Sequence, residues 1–372
     1  MNNRTLHIIV YFTGFVCLLI FLAARFPSLF NLMVREKVVP EYWENTPYGE
    51  LYNFNRISHF KEELPPATIK YRHTPKCPPL RDADMIIFGD SFFDFTRLTT
   101  LPERLGDTLG KRVYYSRYDY PLNTLAEEGY PKGASKIFIY ETAERYIPVR
   151  FASPQVSTWQ PDTRSALRKK LSHWRDLVFL KDSEVRYSLL LTRSYLTQKI
   201  YEWVATFKFD QFGYIAETTP VYSLKYDVPW LFYYEEVNDD VTSFYYQHTD
   251  EDVARYCDNI ADLRNKLKET YNLDMVFMPI PCKYTVYNRL LNNDRYNNLI
   301  PRIYEGLDAR GVPVVKLFDP IMGSNEILYY GTDTHWNKKG LDMALDITVN
   351  FLNTTDTGYI AGDKIHDNTN KN

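Results

Sequence analysis

Short, continuously apolar runs alternate along this chain with segments whose apolar residues recur every three or four positions. In Asp84-Met85-Ile86-Ile87-Phe88 the four residues after Asp84 are apolar at consecutive positions and the run stops at Gly89, which predicts a strand buried on both faces. Similar runs recur at Arg112–Ser116, Lys136–Tyr140, Leu273–Ile280 and Val312–Phe318. Ahead of the fourth run, Asp250–Tyr271 sets Val253, Tyr256, Ile260, Leu263 and Leu267 on one helical stripe. Strands alternating with helices predict an α/β fold built on a doubly wound parallel sheet in three layers.

The same pattern marks the remaining territory. From Leu6 to Ala24 there are nineteen residues without a formal charge, flanked by Arg4 and Arg25. That length matches a bilayer core, and Arg25-Phe26-Pro27 offers no small-residue cleavage site, so residues 1–26 are expected to form an uncleaved N-terminal transmembrane anchor. Residues 27–80, rich in Pro, Tyr and charge without a sustained period, read as a juxtamembrane linker. The α/β domain is then expected over 81–352. Inside it, about 151–249 breaks the alternation with a basic cluster (Arg164, Arg168, Lys169, Lys170) and an aromatic run (Trp230, Phe232, Tyr233, Tyr234). This stretch reads as a mostly helical insertion, placed to cap a site or to stand as a structural subdomain. The polar tail 353–372 is expected to be disordered.

Charge narrows the partners. With 44 basic and 47 acidic side chains the 372 residues carry a formal charge of −3, too little field to gather nucleic acid, so none is expected as a partner. Aromatics reach 16%, with 31 Tyr and 22 Phe, many of them between Tyr187 and Tyr246. Such rings suit sugar faces, and they equally suit a core and its rim. Four cysteines, one of them Cys17 in the apolar N-terminal segment, allow at most one disulfide among Cys77, Cys257 and Cys282 and show no zinc spacing.

Two motifs carry chemistry. Gly89-Asp90-Ser91-Phe92 sits where the first sheet strand ends, the end at which open α/β sheets bind ligands. A serine there faces substrate, with the N–H of Ser91 or Phe92 available to an oxyanion; the same residues also make an ordinary turn or helix cap. Near the C-terminus lies Gly331-Thr332-Asp333-Thr334-His335-Trp336-Asn337. In an extended segment Asp333 and His335 project to one side, so the carboxylate can orient the imidazole that takes the Ser91 proton. An isolated Asp-x-His also serves as half of a metal site, but His59, His73, His173, His248 and His366 form no second cluster in the sequence, and neither metal nor cofactor is expected. The joint reading is a triad of Ser91, His335 and Asp333.

These residues resemble the SGNH hydrolase superfamily, whose flavodoxin-like domain has a Gly-Asp-Ser near its start and an Asp and His near its end. Asp333-Thr334-His335-Trp336 is similar to the Asp-x-His-Trp signature of the periplasmic alginate O-acetyltransferase group (AlgJ and AlgX). Pro281-Cys282-Lys283-Tyr284-Thr285-Val286-Tyr287 is similar to that group's Pro-x-Lys-x-x-x-Tyr stretch, and Lys136–Tyr146, with Glu141 and Arg145, resembles its strand ending in Glu and Arg. The serine comes first here, the order of ordinary SGNH enzymes and DltD-like proteins.

The resemblance implies O-acetylation of a cell-surface polysaccharide outside the cytoplasm, at the inner membrane, with the acetyl group delivered by a multi-spanning membrane O-acyltransferase partner. It implies an oxyanion or substrate role for Phe92, Asn123, Lys283, Tyr287 and Trp336. Each has a plainer alternative: Lys283 as a solvated rim charge, Tyr287 as packing, Glu141 and Arg145 as a helical pair, Trp336 as filler beneath a helix start. A carbohydrate or lipid esterase would use the same triad, and a non-catalytic accessory protein of the acyltransferase is the third reading.

Overall fold

The computed structural model describes residues 3–25 and 48–354, apart from 67, 69, 96, 118–119, 159–194, 225–227 and 292–294. The tail from 355, the linker residues 26–47 and the basic cluster of the insertion lie outside these described residues, as does the expectation of a disordered tail there.

The first helix, α1 (Asn3–Arg25), corrects the expected transmembrane anchor. Among the described residues no helix is long and apolar enough to cross a membrane. Freedom from formal charge carried that expectation, and charge-free is not the same as apolar: His7, Tyr11, Thr13 and Gly14 fall inside the run.

Helix α2 (Glu50–Asn55) leads by way of three short 3-10 turns into the sheet. There follow β1 (Met85–Gly89), α3 (Leu101–Leu109), β2 (Val113–Arg117), α4 (Pro121–Glu127), β3 (Lys136–Ala143) and α5 (Ile147–Phe151). The insertion contributes α6 (Tyr195–Phe212), a small antiparallel pair β4 (Val221–Ser223) and β5 (Trp230–Phe232), and α7 (Tyr234–Val237). The domain closes with α8 (Asp250–Tyr271), β6 (Leu273–Ile280), α9 (Lys283–Tyr287), α10 (Leu299–Asp308), α11 (Phe318–Met322) and α12 (Lys338–Thr354).

The main sheet has the order β2-β1-β3-β6, with every pair parallel. Val312–Phe318 forms no strand of its own; Val314 makes a single bridge to Phe277. Pro313 lacks the N–H that a longer ladder would use, which confines this segment to the edge. Strand alternation divides the core in two. Met85, Ile87, Ile137, Ile139, Val276 and Met278 pack with Leu101 and Leu105 of α3 and with Leu341, Ala344 and Leu345 of α12. Ile86, Phe88, Phe138, Tyr140, Met275 and Phe277 pack with the apolar stripe of α8 and with Ile300, Ile303 and Leu307 of α10.

Helix α8 shows local and tertiary preferences agreeing. Thr249 and Asp252 close a reciprocal capping box at its start, Asn272 ends it in the left-handed conformation, and all five residues of the predicted stripe are buried. The four cysteines are free thiols. Chain order at the carboxyl ends of the strands places two loops together: the one after β1, and the one between α11 and α12.

Candidate active site

The turn after β1 is held from beneath by buried carboxyl groups. Asp90 is fully buried; its N–H donates to Glu141 Oε2 of β3 at 2.6 Å. Its carboxylate accepts the N–H of Ala143 at 2.8 Å and of Phe92 at 3.1 Å, and its carbonyl accepts the Tyr115 hydroxyl of β2 at 2.8 Å. Burial pushes the Asp90 carboxyl up, but the Arg150 guanidinium, 3.8 Å away, and those two N–H donors outweigh it and hold the group below its usual range. Glu141 moves the other way: buried and facing Asp90, its carboxyl is pushed well above the usual range. Gly89 has no Cβ because one would run into the Glu141 carboxyl.

Ser91 follows this pin and is 8% exposed, with Phe92, Phe93 and Phe95 buried behind it. The Phe92 N–H, one of the two expected oxyanion donors, is the one bonded to Asp90.

The second loop, Tyr330–His335, is a tight turn closed by a bridge between Tyr329 and Trp336, and not the extended segment the spacing suggested. Asp333 nevertheless reaches the ring. Its Oδ1 lies 2.6 Å from His335 Nδ1 and also accepts the His335 backbone N–H at 3.1 Å, while Oδ2 accepts the N–H of Glu50 at 3.0 Å. Burial pushes the Asp333 carboxyl up; the imidazole and these donors overcome it and hold it well below the usual range. The His335 ring is 2% exposed, stacks on Phe95 with centroids 4.4 Å apart and meets Phe92 at 5.2 Å. Both rings belong to the turn that follows Ser91, so the histidine packs against that turn.

Lys283 is the surprise of the second loop. It is fully buried, no rim charge, and its Nζ donates to the carbonyls of Asp333 at 2.7 Å, Gly331 at 3.0 Å and Tyr330 at 3.4 Å, with Phe232 beneath it at 5.4 Å. Burial pulls its pKa down to about 8, against the upward pull of Glu236, Asp333, Glu62 and Glu50.

Two further anchors come from the stretch read as linker. Glu62 Oε2 accepts both the N–H and the hydroxyl of Thr332, at 2.8 and 2.9 Å. At the start of α2, the N–H of Leu51 donates to Thr332 O at 3.0 Å, and the Glu50 carboxylate accepts the Thr334 hydroxyl. Gly49 allows this approach, since a Cβ there would collide with the Thr332 carbonyl. From the insertion, Leu231 N–H of β5 donates to Gly331 O at 2.9 Å.

The other expected residues divide. Tyr287 accepts the Leu328 N–H at 2.8 Å and packs on Trp230, holding the approach to the loop. Trp336 is buried, edge-on to Phe92 at 5.1 Å and beneath Gly340 at the start of α12. Asn123 lies on α4 and exchanges two hydrogen bonds with Thr158. Glu141 and Arg145 do not pair: Arg145 bonds Glu236 at 2.8 Å.

Sequence reasoning missed Glu50 and Glu62. The one local signal was the Gly49-Glu50 step opening a helix. Among the described residues, Glu50, Asp333 and His335 are also the group whose ligand atoms lie close enough to hold a metal ion. Here Asp333 and His335 are bonded to each other and to backbone N–H groups, an arrangement that fixes the imidazole as a carboxylate-oriented ring.

Residues 228–366 match the family model described as the SGNH hydrolase-like domain of acetyltransferase AlgX. The matched span takes in Lys283, Tyr287, Asp333, His335 and Trp336 and does not reach Ser91, so the SGNH resemblance read from the motifs is shown over the segment that holds Asp333 and His335. No curated protein and no solved structure matches the chain.

Proposed function

We propose that this chain is an extracytoplasmic serine O-acetyltransferase that esterifies a cell-surface polysaccharide through an acyl-Ser91 intermediate. The observation that carries this reading is the 2.6 Å Asp333–His335 bond on a ring stacked against the loop of Ser91. Nδ1–H directed at Asp333 leaves Nε2 as the base. Ser91 Oγ attacks the acetyl carbonyl of the donor as its proton passes to His335 Nε2, and the Ser91 N–H faces the tetrahedral oxyanion. Collapse expels the donor's leaving group, which takes the proton back from His335. A sugar hydroxyl then attacks the acyl-serine, His335 again accepting the proton, and the acetyl group ends as an ester on the glycan with Ser91 regenerated. The acetyl donor is supplied across the membrane by a multi-spanning O-acyltransferase. The match to an acetyltransferase domain supports transfer as the outcome.

Incubating the purified chain with an activated aryl acetate tests this. The expected result is an acetyl adduct on the Ser91 peptide by mass spectrometry, discharged faster when oligosaccharide is added than in buffer. An adduct elsewhere, or a Ser91→Ala variant that keeps its rate, removes the serine mechanism; discharge indifferent to sugar makes the chain an esterase.

A further inference from the structure

Two carboxyl groups meet beneath the Ser91 turn. Glu141 stands in β3 and Asp90 on the turn after β1, both at 0% exposure. Gly89 clears the space for this meeting, because a Cβ there would fall 2.4 Å from Glu141 Oε2. The two side chains are hydrogen-bonding neighbours. Two carboxylates are both acceptors, so they bond each other only when one of them carries a proton.

The donors around them decide which one. Asp90 accepts the N–H of Ala143 at 2.8 Å and of Phe92 at 3.1 Å, with Arg150 Nη2 3.8 Å from its Oδ2, so its negative charge is supported. Glu141 receives one N–H, that of Asp90, on Oε2; among the described residues no donor reaches Oε1. An ionised carboxylate with one oxygen stranded in the interior is strongly disfavoured, whereas a carboxylic acid donating to Asp90 is not. Glu144, three residues on and also buried, shows the contrast: Cys282 N–H and the hydroxyls of Thr285 and Tyr296 supply donors to both of its oxygens.

We propose that Asp90 and Glu141 hold one proton between them, and that this acid–carboxylate pair latches the Ser91 turn to β3, which makes Glu141 a positioning residue. The proton resides on Glu141: its carbonyl oxygen accepts the Asp90 N–H and its hydroxyl donates to the Asp90 carboxylate, so one side chain grips the turn twice. The effect on rate rests on the acyl-Ser91 reading above; the shared proton does not. The other groups acting on the pair are Arg150 and Arg145, which favour the charge on Asp90, and the buried phenols of Tyr115 and Tyr140. Loss of the proton sets two like charges side by side in the interior, so the latch loosens in alkali. Folded Glu141 keeps its proton above the ordinary value of 4.5, where the unfolded chain has lost its own, so this group's contribution to stability falls as pH rises past that value.

Glu141→Gln in the full chain tests the pair, since the amide reproduces the acid's donor and acceptor with no proton to lose. The infrared difference between wild type and Glu141→Gln in D2O at neutral pH is expected to show the carbonyl stretch of a protonated carboxyl group in wild type. Acetylation of Ser91 by an activated aryl acetate should run in Glu141→Gln within about threefold of the wild-type rate. Glu141→Met breaks both grips and should slow it about tenfold or more. The melting temperature of Glu141→Gln relative to wild type should rise with pH. Absence of the protonated band, a rate loss in Glu141→Gln as large as in Glu141→Met, a wild-type rate in Glu141→Met, or a Glu141→Gln chain that does not fold overturns the latch. A protonated band in a wild-type chain that never acetylates Ser91 overturns the transferase reading instead.

Discussion

The two loops that meet at the site are held by opposite means. The Ser91 turn rises directly from β1 and is pinned to neighbouring strands: Asp90 bonds Glu141 and Ala143 of β3 and accepts the hydroxyl of Tyr115 from β2. The Asp333–His335 turn has no strand beneath it. It hangs from side chains and backbone supplied by distant parts of the chain: Lys283 on α9, Glu62, the start of α2, and Leu231 on β5. The Ser91 turn is therefore held by the sheet itself, and the Asp333–His335 turn by a set of polar grips, one of which, Lys283, has its pKa drawn down to about 8 by burial. Losses on the first side should cost stability first; losses on the second should cost rate first.

Asp333→Asn gives the largest expected effect. The amide keeps the shape but cannot hold the proton-donating Nδ1 tautomer, so kcat for an activated acetyl ester should fall by about 10⁴-fold with little change in melting temperature. A drop below tenfold would mean that His335 needs no carboxylate partner.

Lys283→Met comes next. Removing all three carbonyl grips lets the turn shift, and a misplacement of about 1 Å can cost about 10²-fold in rate. Stability should change less, because burying the ammonium was itself costly. The wild-type rate should also fall on a basic limb near pH 8, where the ammonium loses one of its three donors. Stability runs the other way. The folded pKa lies below the unfolded value, so between about pH 8 and 10.5 the unfolded chain binds more protons, and this group's contribution to stability rises with pH. Comparing pH profiles and melting curves of wild type and Lys283→Met separates the two effects.

Gly89→Ala probes the opposite loop. A Cβ directed at the Glu141 carboxyl forces the strand end or that carboxyl to move, at about 1–3 kcal/mol of stability. Chemical denaturation measures it; an unchanged midpoint would show that the strand end yields freely and that the Ser91 turn is not the stiff half.

This contrast also explains what was legible beforehand. Ser91 stood out because an unbroken apolar run stops at Gly89, and α8 because its period, cap and C-terminal Asn272 agree. The apolar run of β3 ended three residues before the strand does, since Glu141 and Thr142 are buried polar residues that accept from Asp90 N–H and from Arg150, outside the strand. Glu50 and Glu62 were hidden for the same reason: their bonds to Asp333 and Thr332 span 283 and 270 positions, beyond any local period. Lys283 carried a motif resemblance but not its burial, because the chain that surrounds a lysine is not written beside it. The anchor expectation failed differently, by equating absence of charge with apolarity.

Glu62→Gln gives the smallest effect and the sharpest test of the grips. Glutamine keeps a carbonyl oxygen for the N–H and hydroxyl of Thr332, so exchanging a charged acceptor for a neutral one should cost no more than about 1 kcal/mol. What changes is the field at Lys283. Glu62 is one of the four carboxylates that draw the lysine pKa upward against burial, so neutralising it lets that pKa fall further below about 8. The rate near neutrality should stay close to wild type while the basic limb moves to lower pH, a displacement readable from kcat/KM profiles of the two proteins run side by side. If the limb stays where it was while the Thr332 contact is demonstrably kept, the group titrating there is not Lys283. The Asp333–His335 turn would then owe its position to its uncharged contacts, Leu51 and Leu231, and the two loops would differ less than their bonding suggests.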